Sequence, residues 1–294
     1  VESAKEKLSK ALNTRFKEFD STHTFEFSNP ENIPENLTPE HIEAINEVFG
    51  QNTESTLIPK PEELHNLDDE YQRVMYPETQ QESDKKNGLV SYRPDHFKQS
   101  AKGITQSDES WQEAYMRSMK EELETIGGSL VLYETTQKPN YKDGKQHYGT
   151  KEGDDQSKDP LLTIFKQAFG ENANRFNYSR DEIQTKLIPK VKEHITKLFK
   201  DKKLPIPDFD VILAPATLFN LQTTLNQPEN SGTNTYEWSS TVLTGKDKKD
   251  TGRRLNVGRS GYGGSSGVDY DPRGHCWDGR GARLAVVLRK HTNT

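Results

Sequence analysis

Apolar positions along this chain recur first at helical and later at strand spacing. Leu8, Leu12 and Phe16 stand at i, i+4 and i+8 in a polar N-terminal stretch, predicting a helix. "LTPEHIEAINEVFG" predicts another, with Thr38 as N-cap, Pro39 in the first turn and Gly50 as the stop. Residues 51–106 carry Pro59, Pro61, Pro77 and the polar run "ETQQESDKKNG", and read as loops. "SDESWQEAYMRSMKEELETIGG" then predicts a helix that stops at Gly127-Gly128. Its stripe of Trp111, Tyr115, Met119 and Leu123 is a core-packing face.

"SLVLYET" (129–135) reads as a strand and is followed by the long polar segment "TQKPNYKDGKQHYGTKEGDDQSKD". Two helices are expected next, over 159–170 and from a capping box of Ser179 and Glu182. The second carries Ile183, Leu187, Val191, Ile195 and Leu198 as its apolar stripe, and Pro189 should kink it. "DFDVILAPATLF" begins as a buried strand, and short strands recur in "TYEWSST", "RRLNVG", "SGVDY" and "GARLAVVL". This order predicts an α+β domain of short antiparallel strands with two helices over 126–294. Its first and last strands are the strongest and are expected to pair. Residues 1–125 read as an accessory, mostly helical and loop-rich region.

Composition narrows the function. The chain has 294 residues, 30% hydrophobic and 29% charged, with a net charge of -6. Its mean hydropathy is -0.99. That describes a soluble protein with long surface loops and argues against a general nucleic-acid binder, which would show a basic face. No apolar run reaches the length of a membrane span, and the first residues lack the hydrophobic core of a signal peptide. The single cysteine, Cys276, excludes an internal disulfide and a Cys-rich zinc site. The eight histidines show no metal-ligand spacing, so neither a metal nor a cofactor is expected.

One segment departs from the rest. From Thr251 to Leu288 there is no Lys, Glu, Gln or Met, and seven of the thirteen arginines fall after Gly252. Between two ordinary strands lies a stretch of Gly, Ser, Asp, Arg, Tyr, His, Cys and Trp without clear period.

"EWSST" (Glu237–Thr241), the Gly263-Gly264 turn and the closing Gly281-Ala282-Arg283-Leu284 resemble the C-type-lectin-like fold in its formylglycine-generating-enzyme-like branch. Ala282 departs from the more usual Phe. Within that branch, "GRRLNVGRSGYGGSSGVDYDP" is similar to the variable region of the target proteins of diversity-generating retroelements. The resemblance implies adenine-directed mutation of the end of the gene, here about residues 236–288, on a persistent fold. It also implies that Leu255, Val257, Val268, Leu284, Val286 and Leu288 face the core, and that Gly258, Gly263 and Gly264 serve tight turns from which a side chain is excluded. Adenine-only mutation of an AAC codon cannot give Lys, Glu, Gln, Met or Trp, and four of those five are missing from 251–288.

The implied ligand-binding surface is Asn256, Arg259, Gly261, Tyr262, Ser265, Ser266, Gly267, Asp269, Asp271, Arg273, Gly274, His275, Cys276, Trp277, Asp278, Gly279 and Arg280. Trp277 lies outside the reachable set and is either scaffold or descended from another codon. Tyr262, Arg259, Arg273, His275, Trp277 and Arg280 are the expected anchors, since planar and amphipathic side chains give contact area at low entropic cost.

Other chemistries fit less well. "GRSGYGGSSG" lacks the following helix that a phosphate-cradling loop needs. "NQPEN" and "CWDG" each lack the neighbours of a calcium-dependent sugar site. Formylglycine generation uses paired cysteines in the family that this fold resembles, and one is present. His275 beside Cys276 has no identifiable orienting third group. The expectation is therefore a binding protein without catalytic residues. Its partner would be a protein or surface ligand at a virion or cell surface. The alternative is a non-diversified lectin-like or formylglycine-enzyme-like domain that binds carbohydrate or acts structurally.

Overall fold

The computed structural model describes residues 34–58, 99–225, 230, 233–258 and 268–289. Its helices are α1 (Pro39–Val48), α2 (Lys102–Thr105), α3 (Trp111–Ile126), α4 (Leu162–Phe169), α5 (Arg180–Glu182), α6 (Ile188–Asp201) and α7 (Ala216–Leu225). Its strands are β1 (Thr53–Leu57), β2 (Leu130–Glu134), β3 (Phe209–Leu213), β4 (Tyr236–Thr244), β5 (Asp250–Val257), β6 (Val268–Pro272), β7 (Arg280–Ala282) and β8 (Leu284–Leu288). They form two four-stranded sheets, ordered β1-β2-β8-β3 and β6-β5-β4-β7. The mixture of helices and sheets is α+β, as the element order predicts. The helix expected near the N-terminus lies outside the described residues.

The two strongest strands do pair, antiparallel, from Leu130↔Leu288 to Tyr133↔Ala285. The continuous apolar run of β8 has a physical reason. Leu284, Val286 and Leu288 face one core with Ile183, Leu187, Val191, Ile195 and Trp238. Ala285 and Val287 face the other, with Trp111, Tyr115, Met119 and Leu123 of α3. A strand covered on both faces loses its polar alternation.

The caps behave as expected. Ser179 N–H donates to Glu182 Oε2 at 3.0 Å, and Glu182 N–H donates back to Ser179 Oγ at 3.2 Å. The irregularity expected at Pro189 takes the form of a π-helical stretch, Ile183–Leu187, where Ile188 N–H reaches Ile183 O. Proline has no N–H to donate and crowds the carbonyl four residues back, so the widened turn falls just before it.

Three expectations change. The segment 51–106 contains a strand, β1, paired with β2 from Thr53↔Glu134 to Leu57↔Leu130. As "TESTL" on a sheet edge, it lacks the apolar content that marks a buried strand. A helix, α7, follows β3 where the sequence suggested only a strand. The third change is that not every pair is antiparallel. β7 lies parallel to β4, Tyr236↔Arg280 to Trp238↔Ala282. The chain leaves β4, passes through β5 and β6, and returns by 273–279 to the far side of β4, so β7 enters running the same way as β4.

Described residues on both sides of position 125 share the same cores. Beyond β1 and α3, α1 docks on the end of α6: His41 Nε2 lies 2.7 Å from Pro205 O, and Lys202 Nζ lies 2.6 Å from Glu47 Oε1.

Between the sheets lies a buried polar centre. Arg283 Nε donates to Glu237 Oε2 and Nη2 to Glu237 Oε1, both at 2.9 Å, while Nη1 donates to Glu134 O at 2.8 Å. Tyr148 Oη donates to Glu237 Oε1 at 2.6 Å. Arg175 Nε donates to Asp159 Oδ1 at 2.8 Å, and its Nη1 donates to Glu134 Oε1 at 2.6 Å. The side chains of these two arginines, Glu134, Glu237 and Asp159 are all fully removed from solvent. Burial at such density is tolerable only because each guanidinium nitrogen and each carboxylate oxygen has a hydrogen-bond partner.

Candidate binding surface

The segment 273–279 leaves β6 at Pro272, opposite Arg253, and enters β7 at Arg280, opposite Tyr236. Because β6 and β7 are the two edges of the second sheet, it must pass over β5 and β4. This crossing lies between the described strands of the anomalous segment, and it divides the expected site residues into groups.

Arg273, Gly274, His275 and Cys276 are exposed, and Trp277 and Asp278 are half-buried. Asp269 and Asp271 are half-buried on β6. Asn256, Gly279 and Arg280 are buried and do not join the exposed face expected of them. Arg259, Gly261, Tyr262, Ser265, Ser266 and Gly267 lie outside the described residues, as do Gly263 and Gly264. The core-facing residues Leu255, Val257, Val268, Leu284, Val286 and Leu288 are all buried as expected.

The burial of Asn256 and Arg280 follows from the crossing. Asn256 Nδ2 donates to Asp271 Oδ2 at 3.0 Å. Arg280 Nη2 bonds the same oxygen, and His275 Nδ1 lies 3.0 Å from Asp271 Oδ1. Asp271 is thus the hub on which the crossing rests. The Arg280 guanidinium carbon lies 4.3 Å from the Trp238 ring centroid and 5.5 Å from that of Trp277. Two aromatic faces suit a planar, weakly hydrated cation. Burial depresses the Arg280 pKa, and the Asp271 and Asp269 carboxylates oppose that.

Trp277 closes the crossing from above. Its ring centroid lies 6.2 Å from Tyr236 and 6.5 Å from Tyr141. A Cβ on Gly279 would come within 2.7 Å of the Trp277 ring, so only glycine lets the indole lie there. Trp277 is therefore packed into the scaffold as well as partly exposed.

His275 and Cys276 face different partners. While His275 meets Asp271, the Cys276 thiol donates to Glu182 Oε2 at 3.5 Å. Burial and the adjacent Glu182 carboxylate push the thiol pKa up, which favours the unreactive protonated form. Among the described residues no group of three or more His, Cys, Asp or Glu side chains is placed to hold a metal ion. Among them also, no helix is long and apolar enough to cross a membrane.

Residues far away in sequence complete the surface. Tyr141, itself exposed, donates its hydroxyl to Asp278 Oδ2 at 3.0 Å. Arg273 Nε lies 3.2 Å from Asp181 Oδ2. Lys138 is fully buried and donates from Nζ to Thr235 O at 2.6 Å and to Gly258 O. Gly258 has φ +105, and a Cβ there would lie 2.6 Å from that amine. Burial lowers the Lys138 pKa to about 7, with Arg283 adding to the shift and Glu237 opposing it. Nothing in the pattern of the polar segment "TQKPNYKDGKQHYGTKEGDDQSKD", which holds Lys138 and Tyr141, marked either residue for this surface.

Compared with protein-family models, with curated proteins and with solved structures, the chain matches none.

Proposed function

We propose that this chain is the variable protein of a diversity-generating retroelement. On this reading a C-type-lectin-like scaffold displays a hypermutated surface, and the protein binds a protein or surface ligand without catalysing a reaction. The display would be at a virion or cell surface.

One observation carries the reading. The described residues of the anomalous segment include an exposed crossing, while the strands around it hold ordinary cores. Arg273, Gly274, His275 and Cys276 are exposed and all belong to the set that adenine mutation reaches. Leu255, Val257, Leu284, Val286 and Leu288 are buried. Side chains of mixed polarity on a connection held by a rigid sheet are the arrangement of a binding surface. The separate partners of His275 and Cys276 further favour binding over thiol catalysis.

The test is the DNA downstream of the gene. A near-copy of the final coding segment beside a reverse transcriptase gene is expected, differing only where the copy has adenine. Those adenines should fall in codons of exposed residues such as Arg273 and His275, and spare the buried Asn256 and Arg280. Absence of both the copy and the reverse transcriptase gene would refute the diversification.

A further inference from the structure

The crossing 273–279 is tied to the rest of the molecule through its main chain. Asp181 N–H donates to Arg273 O at 3.3 Å, Arg273 N–H donates to Gly252 O at 3.2 Å, and Tyr236 N–H donates to Gly279 O at 2.9 Å. One further bond of this kind comes from a side chain: Gln146 Nε2 donates to Asp278 O at 2.5 Å. Gln146 is fully buried, and its Oε1 accepts from Lys142 N–H at 2.9 Å. A Cβ on Gly144 would meet Asp278 Cβ at 3.0 Å, so the loop around Gln146 lies against the tip of the crossing. None of these bonds consults the side chains carried at 273, 275, 276 or 278.

We infer that Gln146 is a positioning residue of this surface. It lies outside the anomalous segment and fixes the crossing through a carbonyl that every residue type possesses. The crossing therefore keeps one path whichever side chains it displays. An exposed connection held only by its own side chains would change shape with each substitution. One held by carbonyls does not. The inference rests on the proposed reading of these positions as ones that vary.

The experiment measures melting temperatures of four single variants, Arg273→Ser, His275→Tyr, Cys276→Ser and Asp278→Asn. Each is made in the wild-type chain, in Gln146→Leu and in Gln146→Glu. The glutamate keeps an acceptor for Lys142 N–H while losing the donor to Asp278 O. In the wild-type chain the four should lie within about 2 °C of the parent, as surface substitutions do. In both Gln146 backgrounds the spread among them should at least double.

A merely structural Gln146 would lower every melting temperature by the same amount, because independent sites add. Equal shifts in either background would overturn the inference, and so would a wide spread already present in the wild-type chain. If Gln146→Leu fails to fold, Gln146→Glu decides. If neither folds, Gln146 is a core residue and the positioning role is refuted. The DNA test bears on diversification alone, so the two failures are distinguishable.

Discussion

Arg283 and Glu237 form a bidentate ion pair wholly removed from solvent, 46 residues apart in sequence. It joins the start of β4 to the residue between β7 and β8, so it locks the second sheet to the first. Removing one partner leaves the other charged, buried and unpaired. Arg283→Met or Glu237→Gln should each cost about 3–5 kcal/mol, measured by urea unfolding. A cost below about 1 kcal/mol for both would mean that the pair does not hold the sheets together.

Lys138 gives the stability a pH dependence of known sign. Its folded pKa is about 7 and its ordinary value is 10.5. Between those values the unfolded chain binds the proton and the folded one does not, so stability should rise with pH across this window, by at most about 1.4 kcal/mol per unit. A neutral amine still has two hydrogens for its two carbonyl acceptors, Thr235 O and Gly258 O. The urea midpoint of wild type minus that of Lys138→Met should increase from pH 7 to 10. A flat difference would show that Lys138 stays charged when folded.

Trp277 separates scaffold from display. Because its ring packs on Arg280 and Tyr236 and is accommodated by Gly279, Trp277→Ala should destabilise by about 1–3 kcal/mol. Arg273→Ala and His275→Ala, exposed, should change stability by less than about 0.5 kcal/mol. An unchanged melt for Trp277→Ala would remove it from the scaffold.

Cys276 should alkylate slowly for an exposed thiol, because burial and Glu182 raise its pKa. Glu182→Gln should speed its reaction with iodoacetamide at pH 8, where more thiolate would form. No acceleration would mean that the carboxylate does not govern the thiol. Alkylation that leaves binding intact would also dispose of a catalytic Cys276.

The strands and helices were legible because their signals are local. Trp111, Tyr115, Met119 and Leu123 share a helical face, and all four are buried in one core. β1 escaped notice because an edge strand of "TESTL" has no apolar side to advertise. The candidate surface was half legible. Its exposed residues were found by composition, yet Asn256 and Arg280 belong to the same compositional set and are buried.

By itself, the sequence determined the α+β order of elements, the helix caps, the buried face of the helix 111–126 and the confinement of the anomaly to one segment. These follow from periodicity and residue type, which report on neighbours a few positions away. Only the tertiary structure decided that 273–279 crosses the second sheet, covers Asn256 and makes β7 parallel to β4. It alone brought Gln146 to Asp278, 132 residues on, and Lys138 to Gly258, 120 residues on. Contacts at such separations depend on how the sheets are threaded, and no local pattern encodes that.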